Sequence, residues 1–286
     1  MISDITLGQF FPGRSLIHRL DPRTKIILAT IFIVAVFIAN NPISFVFLGF
    51  ITLLLISLSG ISFKVIFKSI KPIVFILLFT ALINVFMTKG EGEALLSFWV
   101  INIYSEGIAR AIMMALRVVM LIVGSSVLLT YTTSPISLTD GLEALLSPLK
   151  KIGVPVHTFA MMMSIALRFI PTLVEETEKI MNAQKSRGAD FTSGSLVQRA
   201  KALSPILVPL FVSSFKRAEE RATAMECRCY RGDKNRTKLV KLEYRGADYG
   251  FIFLFLIILA CLICLSILPY KFESMGLIYD LLFYKV

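Results

Sequence analysis

The sequence has few charged residues, two histidines and one tryptophan, and these scarcities narrow the class of protein. Of its 286 residues, 17% are charged and 56% are hydrophobic, whereas a soluble domain carries about a quarter charged residues. This composition indicates an integral membrane protein with some water-exposed part that holds the charges. The phosphate loop G-x-x-x-x-G-K-[ST] is also missing, which excludes ATP binding of that kind.

Histidine and cysteine are too sparse to suggest a metal or redox centre. The histidines are His18 and His157, and the cysteines form two pairs, Cys227 with Cys229 and Cys261 with Cys264. Neither pair has a histidine nearby, and the predicted topology places the two pairs in different compartments. We therefore expect reduced thiols that behave as small apolar residues. We expect no catalytic residues, no cofactor and no bound metal.

Five apolar runs, of which the fourth carries Arg110 and Arg117, predict membrane-spanning helices of roughly the required length. They cover residues 26–40, 42–60, 72–88, 107–131 and 249–268. None contains Asp or Glu, whereas a proton- or sodium-coupled transporter is expected to place carboxylates near the midplane. Arg117 is the one deep charge, and we interpret it either as a polar anchor between helices or as a side chain that snorkels to the interface.

Basic residues predict the orientation of these spans and account for the net charge of +11. Successive connections between the runs are alternately rich and poor in lysine and arginine. Residues 132–248 alone hold 18 of the 30 lysines and arginines. Because cytoplasmic connections carry this excess, we expect a multi-pass protein of the cell membrane. Its N-terminus would be cytoplasmic and its C-terminus extracellular. The positive charge then reflects topology and the lipid bilayer, and no nucleic acid is expected as a partner.

Residues 132–248 have a helical pattern, not that of a loop. A short amphipathic helix is predicted from Ser137 to about Pro148, and a second helix runs from Pro155 to about Ser186. A third begins at Ser195, where Gln198 completes a capping box, and its apolar residues recur at steps of three and four. One alternative remains open, in which 156–174 and 202–215 form an additional hairpin of spans.

The predicted fold class is an all-α integral membrane protein with about five transmembrane helices and a cytoplasmic or interfacial domain of long amphipathic coupling helices. The predicted division is 1–131 for the N-terminal segment and four spans, 132–248 for the coupling-helix domain, and 249–286 for the last span and tail.

Both long helices end in an arginine between small residues. One ends in Ser186-Arg187-Gly188 and the other in Cys227-Arg228-Cys229, followed by Tyr230-Arg231-Gly232. Two interpretations remain open. The cations could complement the helix dipole, which is worth about 0.3–1 kcal/mol each. Alternatively, the guanidinium groups could dock into grooves of a partner, where they can form bidentate bonds.

Three stretches resemble a known family. They are HRLDPRTKI (18–26), LRFIPTLVEETEKIMNAQKSRG (167–188) and RAEERATAMECRCYRG (217–232). Together they are similar to the transmembrane T component, EcfT, of energy-coupling factor (ECF) importers, and T subunits of cobalt and nickel systems share the broad pattern. The family's two signature tripeptides usually read Ala-Arg-Gly or close to it. Here both keep the arginine, while the flanking residues differ.

The resemblance implies a membrane scaffold, and not an enzyme, in an ATP-driven importer of vitamins or other micronutrients. Its implied partners are two cytoplasmic ABC-type ATPase subunits and a membrane substrate-binding S component. The implied ATPase-docking residues are Ser186, Arg187, Gly188, Cys227, Arg228, Cys229 and Arg231. The alternatives are a T subunit dedicated to cobalt or nickel, a self-sufficient carrier or channel, and a membrane-embedded enzyme. The basic segment 18–25 is interpreted mainly as a topology signal, and a second role, in which Asp21 ties the N-terminus to the coupling helices, stays open.

Overall fold

The structure is a computed structural model that describes residues 10–87, 96–98, 101–189, 191, 195–230, 232 and 242–267. It is helical apart from one short antiparallel pair, β1 (Leu96–Phe98) and β2 (Ile101–Ile103). The predicted class, an all-α integral membrane protein, is confirmed.

The chain divides into two compact units. The bundle unit comprises Phe11–Thr133 and Glu243–Val286, and the long-helix unit comprises Met1–Phe10 and Ser134–Leu242. That the long-helix unit is a coupling-helix domain, distinct from the membrane spans, stays a prediction.

The bundle unit contains six α-helices over its described residues. They are α1 (Pro22–Ile38), α2 (Pro42–Ser59), α3 (Phe63–Ile70), α4 (Val74–Met87), α5 (Ser105–Ser125) and α9 (Gly246–Ile267). Proline occupies the first position of α1 and α2, where its missing N–H costs nothing. The carboxylate of Asp21 caps α1 by accepting the backbone N–H of Arg23 at 2.9 Å.

The core of the bundle unit forms around α1. Leu28, Phe32 and Val36 are fully buried, and they recur at the four-residue spacing of one helix face. Gly124 in α5 lies against the ring of Phe32 so closely that a Cβ there would collide with it. Glycine at this position therefore lets α1 and α5 pack closely.

Arg117 in α5 holds the turn between α1 and α2. Its guanidinium donates to the carbonyl of Ala39 at 2.6 Å and to the amide oxygen of Asn40 at 3.3 Å, and it lies 5.4 Å from the ring centroid of Phe45. These contacts are those of the polar anchor that the sequence predicts.

The long-helix unit contains α6 (Pro135–Leu146), α7 (Val156–Ser186) and α8 (Leu196–Cys227). The bounds of α7 and the start of α8 agree with the sequence prediction. The start of α6 was wrong by a few residues, because Ser134 is the N-cap and its hydroxyl accepts the N–H of Ser137 at 3.2 Å. The side chain of Gln198, the second half of the predicted capping box, lies outside the described residues.

Five helical segments of the described chain are long and apolar enough to cross a membrane, judged by length and composition. They are Pro42–Ser59, Phe63–Phe86, Gly107–Thr130, Val156–Ser186 and Gly246–Ser266. The number agrees with the prediction, but one member differs. The predicted first span corresponds to α1, which at 17 residues is shorter than these five, whereas α7 is long enough. The cytoplasmic or interfacial placement of α7 therefore stays a prediction, and the alternative in which 156–174 spans the membrane stays open.

Candidate docking site at the helix tips

The C-terminus of α7 closes with a left-handed cap. Gly188 has φ +87°, and its N–H donates to the carbonyl of Lys185 at 2.9 Å. The next N–H, of Ala189, reaches back to the carbonyl of Gln184 at 3.0 Å. This pair of bonds is a Schellman motif, which satisfies carbonyls that have no partner within the helix.

The C-terminus of α8 closes in the same way. Cys229 has φ +57° and is the one non-glycine residue with a positive φ among those described. Its N–H donates to the carbonyl of Glu226 at 2.8 Å, and the N–H of Tyr230 reaches back to the carbonyl of Met225 at 3.1 Å. Cys229 therefore occupies the position of Gly188, and Arg228 occupies the position of Arg187.

This equivalence explains how the two tripeptides differ. The residue after each arginine must adopt a left-handed conformation, which glycine takes freely and other residues take at about 1–2 kcal/mol. Cys229 carries that cost, and the hydrogen bonds of the cap are still formed. The two sequences thus present one backbone geometry.

Both arginine tips are open to solvent. Every residue of the two tripeptides is exposed: Ser186, Arg187, Gly188, Cys227, Arg228 and Cys229. Neither Arg187 nor Arg228 has an ion pair or hydrogen bond from its side chain to another described residue. Arg231, Lys234, Arg236 and Lys238 lie outside the described residues.

Two other arginines of α8 are used inside the unit, and sequence reasoning missed them. Arg217 pairs with Glu176 of α7 at 2.6 Å, and the guanidinium of Arg221 lies 3.6 Å from the ring centroid of Phe169, also in α7. Arg217 and Arg221 are one helical turn apart, so they share a face of α8. That spacing was the signal in the sequence that could have indicated a contact with a neighbouring helix.

These contacts also define how α7 and α8 run. From Arg217 to Arg221 the chain of α8 advances, while its partners in α7 go back from Glu176 to Phe169. The two helices therefore cross in an antiparallel sense. Arg187 follows Glu176 by eleven residues and Arg228 follows Arg217 by eleven residues. At 1.5 Å per residue, each tip lies about 16 Å beyond the ion pair, in opposite directions.

The thiols form no evident site. All four cysteines are free and exposed. Within the described ranges, no three or more His, Cys, Asp or Glu side chains cluster in a way that could hold a metal ion.

These features define the class as a helical multi-pass membrane protein with two exposed arginine tips, and comparison with known proteins gives its family. The model of the CbiQ family, described as cobalt transport protein, matches residues 13–239. The Clostridium kluyveri energy-coupling factor transporter transmembrane protein EcfT is 53% identical over 268 residues, which are 94% of this chain and 97% of that protein. Its Bacillus subtilis namesake is 50% identical over 263 residues, which are 92% and 98% of the two chains. The chain belongs to this EcfT family of transporter membrane proteins, as its sequence motifs predict.

Proposed function

We propose that the chain is the membrane scaffold subunit of an ATP-driven ECF importer. It binds two cytoplasmic ABC-type ATPase subunits, transmits their motion to a membrane substrate-binding S component, and has no enzymatic activity of its own. Its cargo is a vitamin or another micronutrient. The orientation predicted from lysine and arginine, with a cytoplasmic N-terminus and an extracellular C-terminus, belongs to this proposal.

The duplicated helix tip is the observation that carries the proposal. Each long helix ends in the same cap and presents one exposed arginine without a described partner. The two tips lie on opposite sides of the Arg217–Glu176 pair, so a single groove does not fit both. Two equivalent tips are what two similar ATPase subunits require.

The docking and dipole interpretations predict different free energies for the loss of an arginine. An arginine that pairs inside a partner's groove loses its water, and its truncation leaves the partner's polar groups unpaired at about 2–5 kcal/mol. A cation that only complements a helix dipole contributes no more than about 1 kcal/mol. The docking interpretation therefore predicts a loss of affinity that the dipole interpretation cannot supply.

The test replaces Arg187 and Arg228 with alanine, singly and together, and measures copurification of the ATPases and ATP-driven uptake in proteoliposomes. Each single variant should weaken assembly, and the double variant should weaken it most. Lys185→Ala is the matched control for the dipole, since Lys185 lies in the last turn of α7. Arg168→Ala repeats the charge change at an exposed position far from the tip. Full assembly and uptake by the double variant would refute the proposal.

The apolar surface of α8 supports a membrane-embedded partner. Residues 202–215 are uncharged, yet 14 residues are too few to span comfortably, and Pro205 and Pro209 lie among them. Five of their large apolar side chains are 58–65% exposed: Leu207, Val208, Phe211, Val212 and Phe215. We assign this surface to the S component, because such a surface needs an apolar covering.

One observation favours a second candidate for the cargo. The matched family is described by cobalt transport, which corresponds to a T subunit dedicated to cobalt or nickel. Uptake of labelled Co²⁺ or Ni²⁺, compared with that of a labelled vitamin, distinguishes the two candidates.

A further inference from the structure

The chain passes between its two units at three places, Phe10–Phe11, Thr133–Ser134 and Leu242–Glu243. We call each of these places a passage. Beside each passage, a residue of the bundle unit is hydrogen-bonded to the segment 11–25, either directly or through one intermediate residue. That segment includes the motif HRLDPRTK at 18–25, which the topology prediction treats mainly as charges that precede the first span.

His18 and Tyr131 hold the first passage. Phe11 donates its N–H to the carbonyl of Tyr131 at 3.0 Å, and its own carbonyl lies 2.9 Å from Nε2 of His18. The hydroxyl of Ser15 lies 2.6 Å from Nδ1 of the same ring, so both contacts are satisfied when Nε2 carries the proton. A Cβ at Gly13 would lie 2.7 Å from the ring, so glycine makes room for the histidine.

Lys25 holds the second passage. Its Nζ donates to the carbonyl of Thr132 at 2.8 Å and to the carbonyl of His18 at 3.3 Å. Both Lys25 and Thr132 are 2% exposed. Because Thr132 is the penultimate residue before the chain leaves the bundle unit, the ammonium group fixes that exit to the start of α1.

Asp248 holds the third passage. It is 1% exposed, and its Oδ1 accepts the N–H of Asp21 at 2.9 Å, while its Oδ2 accepts the N–H of Arg245 at 2.7 Å. Asp21 in turn caps α1. One buried carboxylate therefore joins the start of α9 to the start of α1.

A lysine that served only as a topology signal would remain in water. Lys25 precedes the predicted first span and is instead buried, and this burial lowers its pKa from 10.5 to about 8, although Asp248 and Asp21 act to raise it. Taking an ion out of water costs several kcal/mol. Buried charged groups can be kept because they specify one arrangement, and here Lys25 binds Thr132 and Asp248 binds Arg245, each of which lies beside a chain passage.

We propose that Asp21, Lys25 and Asp248 are positioning residues that hold the second and third passages as one rigid base for α1 and α9. This inference rests on the proposed function. Movement that ATP hydrolysis imposes on residues 134–242 then enters the bundle unit through fixed chain ends. If the base is loosened, the ATPases turn over while less of their movement reaches the bundle helices.

The test uses the full chain assembled with its ATPases and a riboflavin-binding S component in proteoliposomes, with labelled riboflavin as the probe. Three quantities are measured for each variant: the yield of assembled complex, ATP hydrolysis, and riboflavin taken up per ATP hydrolysed. Lys25→Met should assemble and hydrolyse ATP, with uptake per ATP about tenfold lower, as expected for the loss of charged hydrogen bonds. Asp248→Asn, which keeps the shape of the side chain, should also lower the uptake per ATP hydrolysed.

Two further variants separate positioning from other roles. Lys25→Arg keeps a cation with several donors and should restore much of the ratio. Arg19→Met removes an exposed cation from the same segment and should leave the ratio unchanged. Equal losses for Arg19→Met and Lys25→Met would overturn the inference in favour of a topology signal. An unchanged ratio in the Lys25→Met and Asp248→Asn complexes would overturn it, and so would failure of both to assemble, which indicates a purely structural role. A wild-type chain that binds no ATPase would refute the proposed function instead.

Discussion

Replacing Gly188 with alanine should weaken ATPase binding without touching the arginine itself. Gly188 and Gly153 share φ +87°, and a Cβ added at either would meet no atom within 4 Å. Both substitutions therefore introduce backbone strain alone. A left-handed alanine costs about 1–2 kcal/mol, and the lower entropy of the unfolded chain returns about 0.4–1 kcal/mol. The free energy of unfolding should fall by about 1 kcal/mol in each variant.

The two variants should differ in their affinity for the ATPase subunits. Cys229 shows that a side chain can be held in this conformation at a cost, so the cap of the Gly188→Ala variant should open for part of the time. Each opening breaks the bond from the N–H of Ala189 to the carbonyl of Gln184 and redirects Arg187. Part of the docking energy of about 2–5 kcal/mol is then lost, which corresponds to about tenfold or more in affinity. Gly153 caps the 3-10 helix Ser147–Ile152 and adjoins neither arginine tip, so Gly153→Ala should bind ATPases like the wild type.

The assay combines thermal unfolding in detergent with titration of purified ATPase subunits onto the chain in nanodiscs. Equal stability loss with unequal affinity is the expected result. Equal affinity for the Gly188→Ala and Gly153→Ala variants would refute the reasoning, because the cap would then not orient a docking group. Cys229→Gly removes the corresponding strain from α8, and it should gain about 1 kcal/mol of stability and keep its affinity.

Two further predictions concern other parts of the chain. Phe211→Glu places a charge on the exposed apolar surface of α8 and should reduce copurification of the S component, while ATPase copurification persists and the control Phe211→Leu retains both partners. The lowered pKa of Lys25 means that the folded chain releases its proton before the unfolded chain does, so the free energy of unfolding should rise as the pH increases from about 8 to about 10.5. Thermal unfolding across that range should show a rise that Lys25→Met lacks, and parallel curves would contradict it.

The long helices could be predicted because their signals are local. Pro155 and Ser195 mark where α7 and α8 begin, and the apolar residues of both recur at helical spacing. The start of α6 was misplaced because Ser134 and Ser137 both resemble an N-cap, and only the hydrogen bond from the N–H of Ser137 to Ser134 decides between them.

The contacts that join distant parts of the chain could not be predicted in this way. Asp21 and Asp248 are 227 positions apart, and no local pattern shows that the end of one run meets the beginning of another. The tripeptides align Cys229 with Gly188, but they do not show that the two residues share a backbone conformation, since cysteine is not a usual left-handed residue. The equivalence follows from the backbone bonds of the two caps.

The arginines of α8 show how one helix face can serve both internal packing and a partner. Seven residues are almost two helical turns, so Arg228 lies nearly on the same face as Arg221. That face meets α7 at Arg217 and Arg221, where the guanidinium groups find Glu176 and Phe169. At Arg228 the helix has ended and no described residue pairs with the side chain. A guanidinium already paired within the fold would have to break that contact to bind a partner, whereas Arg228 can bind without one. The same argument applies to Arg187, and it makes the helix tips, rather than the more central arginines, the proposed docking points.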